Sequence, residues 1–334
     1  MPRHRPDPRG LGAPGLKSSV VDRTSVDVRA YDRRRIRVEV AGPEDGDVVI
    51  YHTGTPSSGS LYEGLIEAGA ERGLRHVSYA RPGYPGSERK PGRDIADCID
   101  DVLAIMDELG IDRAYTVGHS GGGPHALACA AALPHRLYAA ATSACVAPFW
   151  FEGPEGPEWM GERPEDWMAG MAEENLREFA AKQTGPAELE EYLKNAAEHL
   201  GSVTGDEVVA ALGDLVSEAD RAVLHGDYAG HVAGSLRESV RDGVWGWFDD
   251  DQAFFEDWGF NIDSMGVPVT IWQGEEDRMV PFAHGQWLAS HVSGRRRHAT
   301  TNDAKPMLLA GEGHLSIEIG SYGAVLDDLV ASRA

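Results

Sequence analysis

The chain has 334 residues, 42% of them hydrophobic and 25% charged, ordinary values for a globular protein that exclude general disorder and a fibrous repeat. Its 31 basic and 54 acidic side chains leave a net charge of −23, which repels phosphate backbones and anionic headgroups and argues against nucleic-acid and membrane-surface partners. No apolar stretch approaches the roughly 18 residues of a membrane-spanning helix, and three cysteines, Cys98, Cys129 and Cys145, do not make a disulfide framework, so a reducing cytoplasm is expected.

In chain order, residues 1–24 mix Arg, Pro and Gly without an apolar run and read as a disordered tail without a secretory signal. Residues 34–40 alternate as a strand, 42–46 turn, and 47–52 form a second short apolar run, so the two are expected to pair as entry strands. Loop chemistry at 54–59 leads into helical spacing at 60–72 and a strand at 75–79. Over 93–109, Ile95, Ile99, Val102, Ile105, Met106 and Leu109 share one helical face, with Gly110 as the stop. A strand at 114–118, an Ala-rich helix at 120–132 broken by Pro134, and a strand at 138–144 continue the alternation, which predicts a mostly parallel sheet.

The alternation then stops. Residues 148–164 are rich in Pro, Gly and Trp, and 165–241 are helix-like throughout; between 148 and 266 stand 27 acidic and 7 basic side chains, a net −20 in about a third of the chain. The sheet pattern resumes at 267–273, followed by a helix at 282–291, a strand at 305–309 and a helix at 317–331. The expected organisation is a tail (1–24), a discontinuous α/β core (25–147 and 267–334) and an inserted helical segment (148–266).

Gly118-His119-Ser120-Gly121-Gly122 matches G-x-S-x-G. It follows an apolar strand and opens a helix, the context in which a strained turn projects a serine hydroxyl and small neighbours let strand and helix approach closely. Ser120 alone could simply cap the helix. A serine is a nucleophile at neutral pH only if an imidazole takes its proton and a carboxylate orients that imidazole, so both should follow in the chain. Asp277 stands in Gly274-Glu275-Glu276-Asp277, on the loop at the carboxyl end of the 267–273 strand, with Glu275 and Glu276 as less favoured neighbours. His314 closes Gly311-Glu312-Gly313-His314 between the last strand and the last helix, and completes the order Ser, Asp, His. His119 and His52 are competing imidazoles with less favourable positions.

With these three motifs in place, residues 34–334 resemble the α/β-hydrolase fold family: a mostly parallel central sheet flanked by helices, with a helical cap inserted after the sixth strand. The resemblance implies an oxyanion hole made by the Gly121 amide and an amide of the loop His52-Thr53-Gly54-Thr55-Pro56. That loop keeps the family's Gly-x-Pro but sets the His one residue back, which points to the Thr55 amide. It also implies that 148–266 is a cap that sets substrate choice; Trp150, Trp159, Trp167, Trp245, Trp247 and Trp258 fall there and either line an acyl or ring pocket or pack the cap on the sheet. Cys145 reads as a small buried hydrophobe at the edge of that pocket.

No His/Cys metal pattern, dinucleotide fingerprint or phosphate loop is present, so no cofactor and no metal are expected. The expected protein is a serine hydrolase acting on a small-molecule acyl substrate (ester, lactone or thioester), as monomer or homodimer. Two alternatives stand beside it: a proline iminopeptidase-like aminopeptidase whose acidic cap binds the substrate amine, and a ligand-binding protein on the same fold.

Overall fold

The computed structural model describes residues 23–153, 156–160, 163–292 and 304–333. Eight strands form the central sheet: β1 (Arg23–Arg29), β2 (Arg35–Ala41), β3 (Asp47–His52), β4 (Leu74–Tyr79), β5 (Ala114–His119), β6 (Leu137–Ser143), and, after a small hairpin β7 (Trp150–Gly153) and β8 (Gly156–Trp159), β9 (Val269–Gly274) and β10 (Lys305–Leu309). Their order is β1-β2-β4-β3-β5-β6-β9-β10; β1, β2 and β4 pair antiparallel and every pair from β4 to β10 is parallel. The difference follows composition. β3 and β5 are buried at nearly every position, as strands covered on both faces must be, whereas β2 alternates buried and exposed.

Two expectations are corrected. β2 and β3 do not pair; β4 lies between them, because β3 carries apolar residues on both faces and takes a parallel neighbour on each side, β4 and β5. The segment expected to be tail ends earlier than residue 24, since Arg23 already pairs with Ala41 in β1; the rest of it, residues 1–22, lies outside the described residues. β1 shows only Val26 and Val28 as apolar signal, too little for periodicity to register.

One face of the sheet is covered by α1 (Glu63–Ala70) and α11 (His314–Ala331), whose Ile66, Ile317, Tyr322 and Leu326 pack on Tyr51, Tyr115 and Ala139. The other face is covered by α2 (Cys98–Glu108), α3 (Gly123–Ala132) and α10 (Phe282–His291). On α2 the anticipated stripe is buried at Val102, Ile105 and Met106, and Gly110, at φ +66°, ends the helix in a backbone few other residues adopt.

Between β6 and β9 the chain makes the β7–β8 hairpin, where no strand was expected, and α4 (Glu173–Thr184), α5 (Pro186–Leu200), α6 (Val208–Leu212), α7 (Glu218–Val223), α8 (Gly226–Ser239) and α9 (Trp245–Phe255). This insertion joins the main core, where Trp167, Phe179, Phe254, Phe255 and Trp258 pack with residues of the sheet and of α3, and it meets the core through two smaller apolar clusters as well. Val208, Leu224 and Tyr228 pack with Leu315, and Leu189, Leu193 and Trp247 pack with Ala80 and Tyr84. Among the described residues no helix is long and apolar enough to cross a membrane.

Candidate active site

Ser120 follows β5 directly and has φ +54°, a left-handed backbone that a non-glycine residue holds only under constraint. The flanking glycines supply that constraint. A Cβ on Gly118 would lie 2.7 Å from the Gly122 carbonyl carbon, and one on Gly122 would lie 2.6 Å from the Thr53 oxygen. Only hydrogens at these positions let the start of α3 press against β3 and β5, and the turn that results lifts Ser120 out of the strand.

Asp277 is buried on the loop after β9, while Glu275 and Glu276 beside it are exposed. Its Oδ1 accepts the Met279 and Val280 amides at 2.9 and 2.8 Å, and Gln273 Nε2 donates to Oδ2 at 3.0 Å, so the carboxylate has one orientation. It faces His314 Nδ1 at 2.8 and 3.1 Å. His314 is the first residue of α11, which starts three residues earlier than periodicity suggested. Burial alone would depress the imidazole pKa; the charge and hydrogen bond of Asp277, with Asp220 and Glu318 further off, turn the shift upward.

Ser120, Gly121, Thr55 and His314 line a single cavity of about 1110 Å³, with Asp277 behind His314. Among the described residues no hydrogen bond reaches Ser120 Oγ; contacts of this kind commonly tighten only with substrate in place. Gly54 lies alongside the serine, since a Cβ there would be 3.2 Å from Ser120 Cβ, and a Cβ on Gly121 would overlap Thr55 Oγ1. Gly121 sits in the first turn, where amides have no intrahelical acceptor. The competing imidazoles are engaged elsewhere. His52 lies between Tyr79 and Thr116 in the core, and His119, lowered in pKa by burial, contacts Ser143 Oγ with its ring 4.8 Å from that of His314.

Four carboxyl groups from the insertion reach this region, and sequence reasoning missed their roles. Asp220 accepts the Leu315 and Ser316 amides at 2.7 and 2.9 Å, at the start of α11. Asp250 binds Arg81, Arg93, Tyr84 and Thr55. Glu178 and Asp251 face the cavity; burial lifts Glu178 to about 7, and burial with the Glu178 charge pushes Asp251 well above the usual carboxylate range. The available signal was the spacing of Trp247, Asp250, Asp251 and Phe254, one face of α9, hidden in what read as an acidic run.

The tryptophans are mostly packing. Of the five whose side chains are described only Trp247 lines the cavity; Trp167 is buried against Phe149, Phe179 and Phe255, and Trp245 lies under the Arg89 guanidinium. The side chain of Trp159 lies outside the described residues. Cys145 is buried against Gly123, away from the cavity.

Residues 47–320 match the family described as alpha/beta hydrolase fold. A bifunctional esterase/perhydrolase of Acinetobacter calcoaceticus is 25% identical over 277 residues, covering 82% of this chain and 87% of the relative. A non-heme chloroperoxidase of Burkholderia pyrrocinia is 23% identical over 248 residues, 72% of this chain and 78% of the relative. Among solved structures, an esterase from Exiguobacterium antarcticum superposes with a TM-score of 0.61 at 18% identity, over 92% of this chain and 98% of the other.

Proposed function

The chain belongs to the alpha/beta hydrolase fold family, and on that premise we propose that it is a serine hydrolase that cleaves a carboxylic ester or related acyl bond through an acyl-enzyme on Ser120. The observation that carries the reading is the meeting, on one cavity, of a serine held at φ +54° and an imidazole whose Nδ1 is bound by a buried carboxylate at 2.8 Å. In this reading His314 takes the Ser120 proton as Ser120 attacks the carbonyl, the Gly121 and Thr55 amides hold the oxyanion, and His314 gives that proton to the alcohol as its bond to the acyl carbon breaks. His314 then takes a proton from the water that attacks the acyl-enzyme and passes it to the departing Ser120 oxygen. The insertion, residues 148–266, acts as the cap, and no metal or cofactor enters a step. Ester hydrolysis is preferred over amide hydrolysis because an alkoxide or phenolate leaves more readily than an amine. Serine rather than a carboxylate at the elbow speaks for acyl and against alkyl transfer.

A second reading, an aminopeptidase that recognises a protonated amine, is favoured by the cavity wall. Among its described residues are Glu174, Glu178, Glu198, Glu207, Asp251 and Glu318 and no Lys or Arg. One assay separates the readings: turnover of p-nitrophenyl acyl esters of rising chain length beside proline p-nitroanilide, for the wild type and Ser120→Ala. The ester reading expects serine-dependent ester turnover, falling by at least about 10³-fold in Ser120→Ala. Preferential anilide cleavage would replace it with the second reading, and turnover that survives Ser120→Ala would overturn both.

A further inference from the structure

We propose that the insertion supplies two positioning residues, Asp250 and Asp220, which set the oxyanion loop and the His314 imidazole respectively, so that the segment takes part in the chemistry as well as covering the substrate. The proposal rests on the roles given above to Ser120, Thr55 and His314.

Asp250, on α9, has no solvent exposure. Its Oδ2 accepts Thr55 Oγ1 and Tyr84 Oη, each at 2.8 Å, and Arg81 Nη2 at 2.6 Å, while Arg93 donates to Oδ1. Burial opposes ionisation, but the charges of Arg81 and Arg93 hold the carboxyl far below its usual range, so Asp250 is an anion. The anchored Arg81 guanidinium then reaches the oxyanion loop: it donates to the Thr53 carbonyl, and Nη2 donates to the Gly54 carbonyl and to Thr55 Oγ1, each at 2.8 Å. The Gly54 carbonyl and the Thr55 N–H belong to one trans peptide plane and point in opposite directions. Pinning that carbonyl on Arg81 therefore turns the Thr55 N–H away from the guanidinium, and Gly54 abuts Ser120 at 3.2 Å from a would-be Cβ. Without Asp250, Arg81 is a buried cation with only dipoles to hold it, and the plane loses its anchor.

Asp220, on α7, also has no exposure. Its Oδ2 is held by the Ser217 hydroxyl and amide at 3.0 and 3.1 Å, and its Oδ1 takes the Leu315 and Ser316 amides. Those amides belong to the first turn of α11, the turn that begins at His314, and an anion there meets both their unpaired donors and the helix dipole. Asp220 thereby sets the direction in which His314 leaves the backbone, and Asp277 sets the rotation of its ring. The charged and titratable groups facing His314 are Asp277 from the loop after β9, His119 at the end of β5, Glu318 within α11 and Asp220 from α7. Only the last comes from the insertion.

The test uses the full chain and the best p-nitrophenyl ester, with kcat, KM and the pH profile of kcat/KM measured for Asp250→Asn, Asp220→Asn, Thr55→Val, Thr55→Ser and Ser120→Ala. Loss of a correctly aimed oxyanion donor lowers the rate by about 10²-fold or more when complete, so Asp250→Asn and Thr55→Val are expected to lower kcat by at least about 10-fold. KM and the chain-length preference stay close to wild type, and Thr55→Ser, which keeps the hydroxyl, recovers the rate. Asp220→Asn keeps an acceptor oxygen for the two amides but removes the charge that raises His314, so the acid limb of kcat/KM moves to lower pH. Wild-type kcat in folded Asp250→Asn and Thr55→Val overturns the first arm, and an unmoved acid limb in Asp220→Asn overturns the second. If Asp250→Asn does not fold, Thr55→Val, which leaves the Asp250–Arg81 ion pair in place, decides the first arm. Turnover that survives Ser120→Ala would instead remove the reading on which the proposal stands.

Discussion

At the scale of the residue, Ser120 holds a conformation that costs a non-glycine side chain on the order of 1–2 kcal/mol. Replacing Ser120 by glycine relieves that strain and stabilises the fold while removing the hydroxyl. Ser120→Gly is therefore expected to be more stable than Ser120→Ala by about 0.5–1 kcal/mol in denaturant unfolding, although glycine gains more entropy when unfolded. Equal stability of the two variants would mean the left-handed turn costs nothing. This strain, like the grouping of Asp277 with His314, was legible in the sequence, because G-x-S-x-G constrains sterics over five residues and the strand ends say where each loop emerges. Arg81 and Asp250 were not legible. They stand 169 positions apart and meet only through the packing of an insertion whose helix contacts no local pattern encodes.

At the scale of the element, α4 and α9 place Glu178 and Asp251 side by side under Trp247, whose Nε1 donates to Glu178 at 2.6 Å. Burial lifts Glu178 from 4.5 to about 7, so between these values the folded chain keeps a proton that the unfolded chain releases. A state that binds more protons is disfavoured as they become scarce, and stability attributable to Glu178 falls as pH rises from about 4.5 to 7, then stays low above. The effect is on the order of up to 3 kcal/mol. Glu178→Gln is expected to flatten this slope, giving a smaller drop in Tm between pH 5 and pH 8 than the wild type shows; an unchanged drop would place the titration elsewhere. Helical character in this segment could be read from the sequence, but its hairpin could not: β7 and β8 are four residues each, too short for alternation to stand out.

At the scale of the whole molecule, the net charge of −23 is concentrated between residues 148 and 266, and acids from that same segment face the cavity. Such a field draws in cations and weakens with screening. For an ester carrying a quaternary ammonium group, kcat/KM is expected to fall by several-fold between about 20 and 200 mM salt, while a neutral ester of equal length changes little; equal slopes would mean that the acids lie too far from the entry path to steer. Alternation gave away a mostly parallel sheet, yet not the position of β4 between β2 and β3, because strand order is decided by which faces each strand can bury.

The order of the sheet also carries a consequence for biosynthesis. β6 ends at Ser143, and its outer neighbour β9 begins only at Val269. Until β9 is made, a sheet built from the first six strands would have the border of β6 bare, the kind of edge that recruits other chains. In the proposed mechanism Ser120 is then already made, whereas Asp277 and His314 arrive with the loop after β9 and with the last helix. On the proposed mechanism, a chain stalled before β9 leaves the border of β6 bare, whereas one truncated between β9 and residue 314 has covered that border but still lacks its base.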